Sequence, residues 1–421
     1  MKNQQKTIEV YADWAELKKP TLVGTLHAAL SRGKEIFSFV YSDPWLKKNN
    51  HRLDPSLQLF QGTHYAPLDQ ENFGIFLDSS PDRWGRFLMD RREAQLARKE
   101  NRKEKRLLES DYLLGVHDNQ RMGALRFRTE PNGPFLDNNH ILAAPPWTSL
   151  RELEQASLAL EMEDAYLNPN YTKWLQMLIA PGSSLGGARP KASLLDENNH
   201  LWIGKFPSRY DDRDIGAWEM VVNKLAKKAN IITPMTRLHK FNDRHHTFLS
   251  KRFDRTDAND RIHFVSAMTL LQRSNGDDAS TGASYLEIAE LIIQEGSQPS
   301  QDLGQLWRRI VFFICVSNVD DHLRNHGFIL KNNGWILAPA YDINPVPSGN
   351  GLKLNISESD NAQDFSLALE VAEYFRLKPG QSKSIIQDTI KIVKNWHKEA
   401  QSLNISRDEQ NRMADAFRLA K

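Results

Sequence analysis

Eight residues of this chain carry most of its chemical potential: Val319-Asp320-Asp321-His322-Leu323-Arg324-Asn325-His326. A further aspartate, Asp342, follows a stretch that reads as a hairpin. Phe328-Ile329-Leu330 and Trp335-Ile336-Leu337 flank Asn332-Asn333-Gly334, and Asn and Gly tolerate the positive φ of a tight turn. A carboxylate that can take a hydroxyl proton, with amide and carboxylate oxygens for Mg²⁺, is the set of groups phosphoryl transfer needs. That reaction depends on positioning and charge neutralisation more than on covalent help. On this reading Asp320 is the base. Asn325 and Asp342 are the Mg²⁺ ligands, enough for an ion that keeps several waters.

The offset from Asp320 to Asn325 is the one that separates base from metal ligand in protein-kinase catalytic loops. The other parts lie upstream. Ser183-Ser184-Leu185-Gly186-Gly187-Ala188-Arg189-Pro190-Lys191 is a glycine-rich turn in which Gly186 and Gly187 allow backbone N–H groups to approach phosphates. A hairpin follows, over 192–206, with Lys205 at the end of its second strand, placed to pair nucleotide phosphates. Glu219, near the start of a helix over 216–229, could orient that lysine. Each part has a plainer reading: a simple turn, a strand-end lysine, a helix-surface glutamate, and polar residues that cap the next element. Their order in the chain favours the phosphoryl-transfer reading. A pseudokinase or binding module would use the same parts without transfer. His322 and His326, with Asp320, Asp321 and Asp342, also suggest a His/Asp metal-dependent hydrolase. The hairpin interrupts any continuous helix there, and the glutamate of the zinc-protease helix motif is absent. His322 then reads as a loop support acting through hydrogen bonds.

Behind these residues the sequence sets out the elements that must hold them. At 421 residues the chain is too long for one ordinary core. With 40% hydrophobic and 26% charged residues it has an ordinary globular composition. A formal net charge of +2, from 55 basic and 53 acidic residues, argues against a dedicated nucleic-acid binder. The single cysteine, Cys315, lies in the apolar run Ile310 to Cys315 and reads as a buried hydrophobe. No signal core and no apolar run of about 18 residues is evident, so the expectation is a cytoplasmic protein without a membrane segment. Strand-like stretches occupy Ile8–Ala12, Thr21–Leu26 and Ile36–Tyr41. Ser80-Pro81-Asp82-Arg83 starts a helix, with Pro expected in its first turn. The charged tract from Arg98 to Arg106 reads as a solvated helix face. Boundaries are expected near 147 and 255, giving segments 1–147, 148–255 and a mainly helical 256–421.

Taken together, the glycine turn, Trp202-Ile203-Gly204-Lys205-Phe206-Pro207, Arg252-Phe253-Asp254-Arg255, Asp320-Asp321-His322-Leu323-Arg324-Asn325-His326 and Tyr341-Asp342 resemble the HipA family. These are serine/threonine kinase toxins of bacterial type II toxin–antitoxin modules, and the resemblance extends over the whole chain. It implies an α+β, two-lobed, protein-kinase-like fold with a mixed, β-rich N-terminal lobe and an all-helical C-terminal lobe. It implies ATP contacts from Gly186, Gly187, Ala188, Arg189, Lys191, Lys205, the connector Lys251-Arg252-Phe253, His322, Asn325 and Asp342. Lys251 stands where an acidic residue is expected, which leaves a backbone contact to the nucleotide. The resemblance also implies autophosphorylation of Ser184, or its neighbour Ser183. Its further implications are a HipB-like helix-turn-helix antitoxin that carries most of the DNA contact, and a protein substrate. Aminoacyl-tRNA synthetases are among the targets of relatives, which links the activity to growth arrest and persistence.

Overall fold

The computed structural model describes residues 5–48, 52–136, 145–179, 187, 189–242, 244–331 and 334–420. The chain packs as two compact units, Met1–Arg209 with Asp254–Val265, and Tyr210–Phe253 with Ser266–Lys421. These units are drawn by packing, and their seams fall at 209, 253 and 265 rather than at the pattern changes near 147 and 255.

The first unit is built on a five-stranded sheet. Its strands are β1 (Gln5–Ala12), β2 (Thr21–Ser31), β3 (Lys34–Tyr41), β4 (Thr63–Tyr65) and β5 (Leu125–Arg128), in the order β4-β3-β2-β1-β5. All neighbours are antiparallel. Alternation sends Ile8, Val10 and Ala12 to the core. Gly24 is required by close approach: a Cβ there would stand 2.2 Å from the Val40 carbonyl oxygen. Helices α1 (Asp43–Lys48), α2 (Gly74–Asp78), α3 (Arg83–Lys99) and α4 (Glu109–Leu114) lie between β3 and β5 in the chain. Asp82 caps α3 by accepting from the Gly85 N–H at 2.9 Å, so Pro81 precedes the cap rather than sitting in the first turn. The charged tract is not a helix face, since α3 ends at Lys99. Residues 101–106 are exposed and irregular there, and Arg102 reaches back to Glu93 and Glu100. Next come α5 (Leu150–Leu160) and α6 (Tyr171–Ile179), then the hairpin of β6 (Lys191–Leu195) and β7 (Leu201–Lys205). Its register pairs Lys191 with Lys205.

The second unit opens with α7 (Ile215–Lys228) and the antiparallel pair β8 (Thr236–His239) and β9 (Thr247–Lys251). The chain returns through the short strand β10 (Phe264–Ser266) into α8 (Ala267–Leu270), α9 (Tyr285–Glu295) and α10 (Pro299–Val316). The apolar run around Cys315 is the buried last half of α10, and the free Cys315 thiol is buried with it. Burial pushes its pKa up. The hairpin of β11 (Gly327–Lys331) and β12 (Gly334–Leu337) follows, with Phe328 opposite Leu337 and Lys331 opposite Gly334. Asn332 and Asn333 lie outside the described residues. Helices α11 (Phe365–Glu370), α12 (Pro379–Val393), α13 (Trp396–Ser402) and α14 (Arg407–Met413) complete the unit. Among the described residues no helix is long and apolar enough to cross a membrane.

Candidate active site

In the second unit, α10 delivers the acidic stretch and β11 carries the chain away from it. Pro299 starts α10 at a position where a missing N–H is harmless, and Ser317 ends it in the left-handed conformation. The exit is tied down by side chains. The Asn344 N–H donates to Asn318 Oδ1 at 3.0 Å, and Arg418 donates to Ser317 Oγ at 3.0 Å.

The two adjacent aspartates have opposite environments. Asp320 is exposed. Its carbonyl oxygen accepts from the His322 N–H at 3.0 Å and from Asn325 Nδ2 at 3.1 Å. Asp321 is 1% exposed, and its Oδ2 accepts from the Tyr285 hydroxyl at 2.8 Å and His326 Nε2 at 2.7 Å. Tyr285 and His326 meet edge to face, with ring centroids 5.7 Å apart. Burial, followed by the Asp321 charge, drives the Tyr285 phenol well above its ordinary pKa, so it stays a donor. The imidazole that braces this loop is therefore that of His326. His322 contributes its backbone N–H and carbonyl, and the side-chain hydrogen bonds expected of it are not found among the described residues.

Asn325 presents the feature a cation ligand needs. Its Nδ2 is held by the Asp320 carbonyl, which turns Oδ1 the other way. That oxygen is buried and has no hydrogen-bond partner, an expensive arrangement unless a ligand completes it. Asp342 has φ +57°, a left-handed conformation that a carboxylate-bearing residue tolerates better than most. Asn344 Nδ2 donates to Asp342 Oδ1 at 3.0 Å, and Asn344 Oδ1 is likewise buried without a partner. Amide and carboxylate oxygens are the donor set Mg²⁺ prefers, so these residues fit it. Among the described residues, no group of three or more His, Cys, Asp or Glu side chains is placed to hold a metal ion.

Around this loop, Tyr341 donates to the Arg324 carbonyl at 2.6 Å and stacks on Phe253 at 5.4 Å. Arg309, fully buried on α10, donates to the Ala338 carbonyl. Burial pulls its pKa down to about 10. In the connector, the Lys251 N–H donates to the Met235 carbonyl at 2.8 Å, and Arg252 is buried. Glu219 is 4% exposed on α7, not the helix-surface carboxylate of the plainer reading.

In the first unit, Lys205 ends β7 half-buried, as the hairpin pattern predicts. Ser183, Ser184, Gly186 and Ala188 lie outside the described residues. Gly187 is exposed with φ +99°, a conformation that favours glycine, and Arg189 is half-buried. Lys191 is 2% exposed, and its ammonium donates to Asp82 Oδ2 and to the Gly187 carbonyl, the latter at 3.1 Å. Burial raises the Asp82 carboxyl pKa and the Lys191 charge opposes that rise. The sequence marked Asp82 only as a helix cap. Tyr285, Arg309, Asn318 and Asn344 carried no local signal.

The HipA-like C-terminal domain family matches residues 183–396, half of the chain. The chain belongs to that family. A curated Haemophilus influenzae protein named "Putative kinase" is 28% identical over 187 residues, covering 39% of this chain and 54% of that protein. The chain thus spans about half the length of that relative. Among solved structures, a chain of the Shewanella oneidensis MR-1 toxin–antitoxin complex of HipA, HipB and operator DNA superposes with a TM-score of 0.66. It is 16% identical, and the match covers 98% of this chain and 95% of that one. The expected α+β, HipA-like fold is therefore the fold of this chain, with one correction: the C-terminal lobe is not all-helical, because the β11–β12 hairpin interrupts its helices.

Proposed function

We propose that the chain is an ATP-dependent serine/threonine protein kinase of the HipA type. The observation that carries this reading is the division of labour in the Asp320–His326 loop. The same loop carries an exposed aspartate and a buried amide oxygen without a hydrogen-bond partner, while the second aspartate is closed off by Tyr285 and His326. Asp320 accepts the proton of the substrate hydroxyl. That oxygen bonds to the γ-phosphorus, the bond from phosphorus to the bridging oxygen breaks, and ADP leaves. Asn325 and Asp342 hold Mg²⁺, which neutralises phosphate charge when bound. Lys205, oriented by Glu219, pairs with the phosphates, and Gly186 to Lys191 form the phosphate loop. Lys251 to Phe253 border the adenine, and His322 lies beside the nucleotide.

Ser184, or its neighbour Ser183, is the internal acceptor. A phosphate there adds close to two negative charges where ATP phosphates must sit, so modification switches the enzyme off. The Shewanella complex contains HipB and operator DNA, which supports a HipB-like helix-turn-helix antitoxin as partner, with DNA reached mainly through it. The target is a cellular protein, an aminoacyl-tRNA synthetase by analogy with relatives, in the cytoplasm. Incubation with γ-labelled ATP and Mg²⁺ should label the peptide that contains Ser183 and Ser184. A folded protein that binds Mg·ATP and transfers nothing would leave the pseudokinase reading in its place.

A further inference from the structure

Resting on the kinase reading, we infer that Asp82 is a positioning residue for nucleotide binding: with Lys191 it forms a buried clamp that fixes the end of the glycine turn to helix α3. Asp82 and Lys191 are 109 positions apart in the chain, and their side chains are 4% and 2% exposed. Asp82 uses both carboxylate oxygens. Oδ1 accepts from the Gly85 N–H and caps the 17-residue helix α3, and Oδ2 accepts from Lys191. The positive end of the helix stabilises the carboxylate that the ammonium needs as its partner. Lys191 passes the constraint on to the Gly187 carbonyl, at the one described glycine of the turn. The Trp84 indole, in the first turn of the same helix, donates to the Lys191 carbonyl at 3.0 Å, so backbone and side chain are both pinned. Helix α6, which precedes the turn in the chain and ends at Ile179, also packs along α3, where Gln95 donates to the Thr172 hydroxyl. Helix α6 and Lys191 are thus both held to one helix from the amino-terminal part of the chain, α3. A phosphate-binding loop needs such a frame, because its backbone N–H groups act only when already aimed.

The clamp assigns Lys191 a different task from Lys205. The Lys205 side chain is half-buried at the end of β7, whereas the Lys191 ammonium is committed to Asp82 and the Gly187 carbonyl. A single charge removal would strand a buried partner and confuse folding with function. The test is therefore the double variant Asp82→Asn/Lys191→Met. Asn keeps the helix cap, and Met fills the lysine's volume without a charge.

Two readouts are taken on the full chain: the KM for ATP against kcat, and amide exchange of the 187–195 segment without nucleotide. The expected result is a folded protein with a melting temperature near wild type, a KM for ATP raised about tenfold, kcat within about threefold, and exchange in 187–195 faster by about tenfold. Unchanged KM and exchange in a folded variant would overturn the clamp. A parallel fall of KM-independent turnover and melting temperature would reduce it to a stability contact. If the wild-type protein binds no ATP, the kinase reading fails, and the exchange comparison still decides whether the clamp fixes the turn. Lys191→Arg, which keeps the charge, should fall between wild type and the double variant in both readouts.

Discussion

Two acidic clusters, one in each unit, use the same residue types to different ends. In the first unit, Asp118 is 2% exposed and accepts from Arg126 Nε at 3.0 Å and Arg261 Nη2 at 3.2 Å. Asp254 accepts from the Gly123 N–H at 2.8 Å and from Arg255 at 2.7 Å, and Arg255 continues to the Arg121 carbonyl at 2.9 Å. These carboxylates are surrounded by donors from segments far apart in sequence, and they tie 254–265 to the amino-terminal residues. In the second unit, Asp321 is closed in the same manner, yet Asp320 faces solvent and Asn325 keeps an oxygen buried and open. The difference separates architecture from chemistry. A buried carboxylate held by several donors fixes a fold, and an exposed one in a loop that also keeps an unanswered amide oxygen is available to a ligand.

The largest effect should come from the open side of that comparison. Asp320→Ala removes an exposed side chain, so the melting temperature should hold within about a degree, while phosphate transfer from labelled ATP falls by about 10²–10⁴-fold, the usual worth of a general base. Normal activity in this variant would move the base elsewhere. Asn325→Ala comes next, with a loss of about 10–100-fold and a higher Mg²⁺ requirement, read by titrating Mg²⁺ into nucleotide-binding assays. A Mg²⁺ dependence identical to wild type would show that the open Oδ1 is not a metal ligand.

Asp321→Ala tests the closed side. It strands the Tyr285 hydroxyl and the His326 imidazole, two buried donors, at a cost of about 3 kcal/mol in denaturant melts. The drop should appear in stability first, the reverse of Asp320→Ala. A stable Asp321→Ala protein lacking activity would merge the two aspartates into one role.

How far the sequence reveals this contrast depends on the range of the contact. The β6–β7 hairpin with Lys205 at its end, α7, and the β11–β12 hairpin are set by local alternation and turn chemistry, and all were legible. The offset to Asn325 singles out Asp320 from Asp321 in the sequence, and the structure exposes the first and buries the second. Partners such as Tyr285 for Asp321, Asp82 for Lys191 and Arg261 for Asp118 were not legible, since 36, 109 and 143 positions separate them. Nothing in local pattern encodes such pairings. The tract from Arg98 to Arg106 failed for a related reason. Its composition suits a helix, but Arg102 and the Lys105 N–H are drawn back to Glu93, and those contacts hold the chain in an irregular path.

The smallest expected effect concerns the closed cluster of the first unit and is read by pH. Burial pushes the Asp118 carboxyl up, but the Arg261 and Arg126 guanidinium groups outweigh it and hold the pKa below the usual carboxylate range. A depressed folded-state pKa means that ionised Asp118 contributes stability above the unfolded value of about 3.9, and that this is lost as pH falls through the folded value. Asp118→Asn keeps the shape and removes the charge. It should lower stability at pH 7 by about 1–3 kcal/mol, the range for hydrogen bonds to a charged group. Asp111 and Asp214, whose pKa values are also lowered, remain in both proteins and cancel in the difference. Urea melts of the two proteins should therefore converge as the pH is taken from 7 to below 4. A gap that stays constant or widens on acidification would mean that Asp118 acts through shape rather than charge, and the contrast between the two clusters would then rest on Asn325 alone.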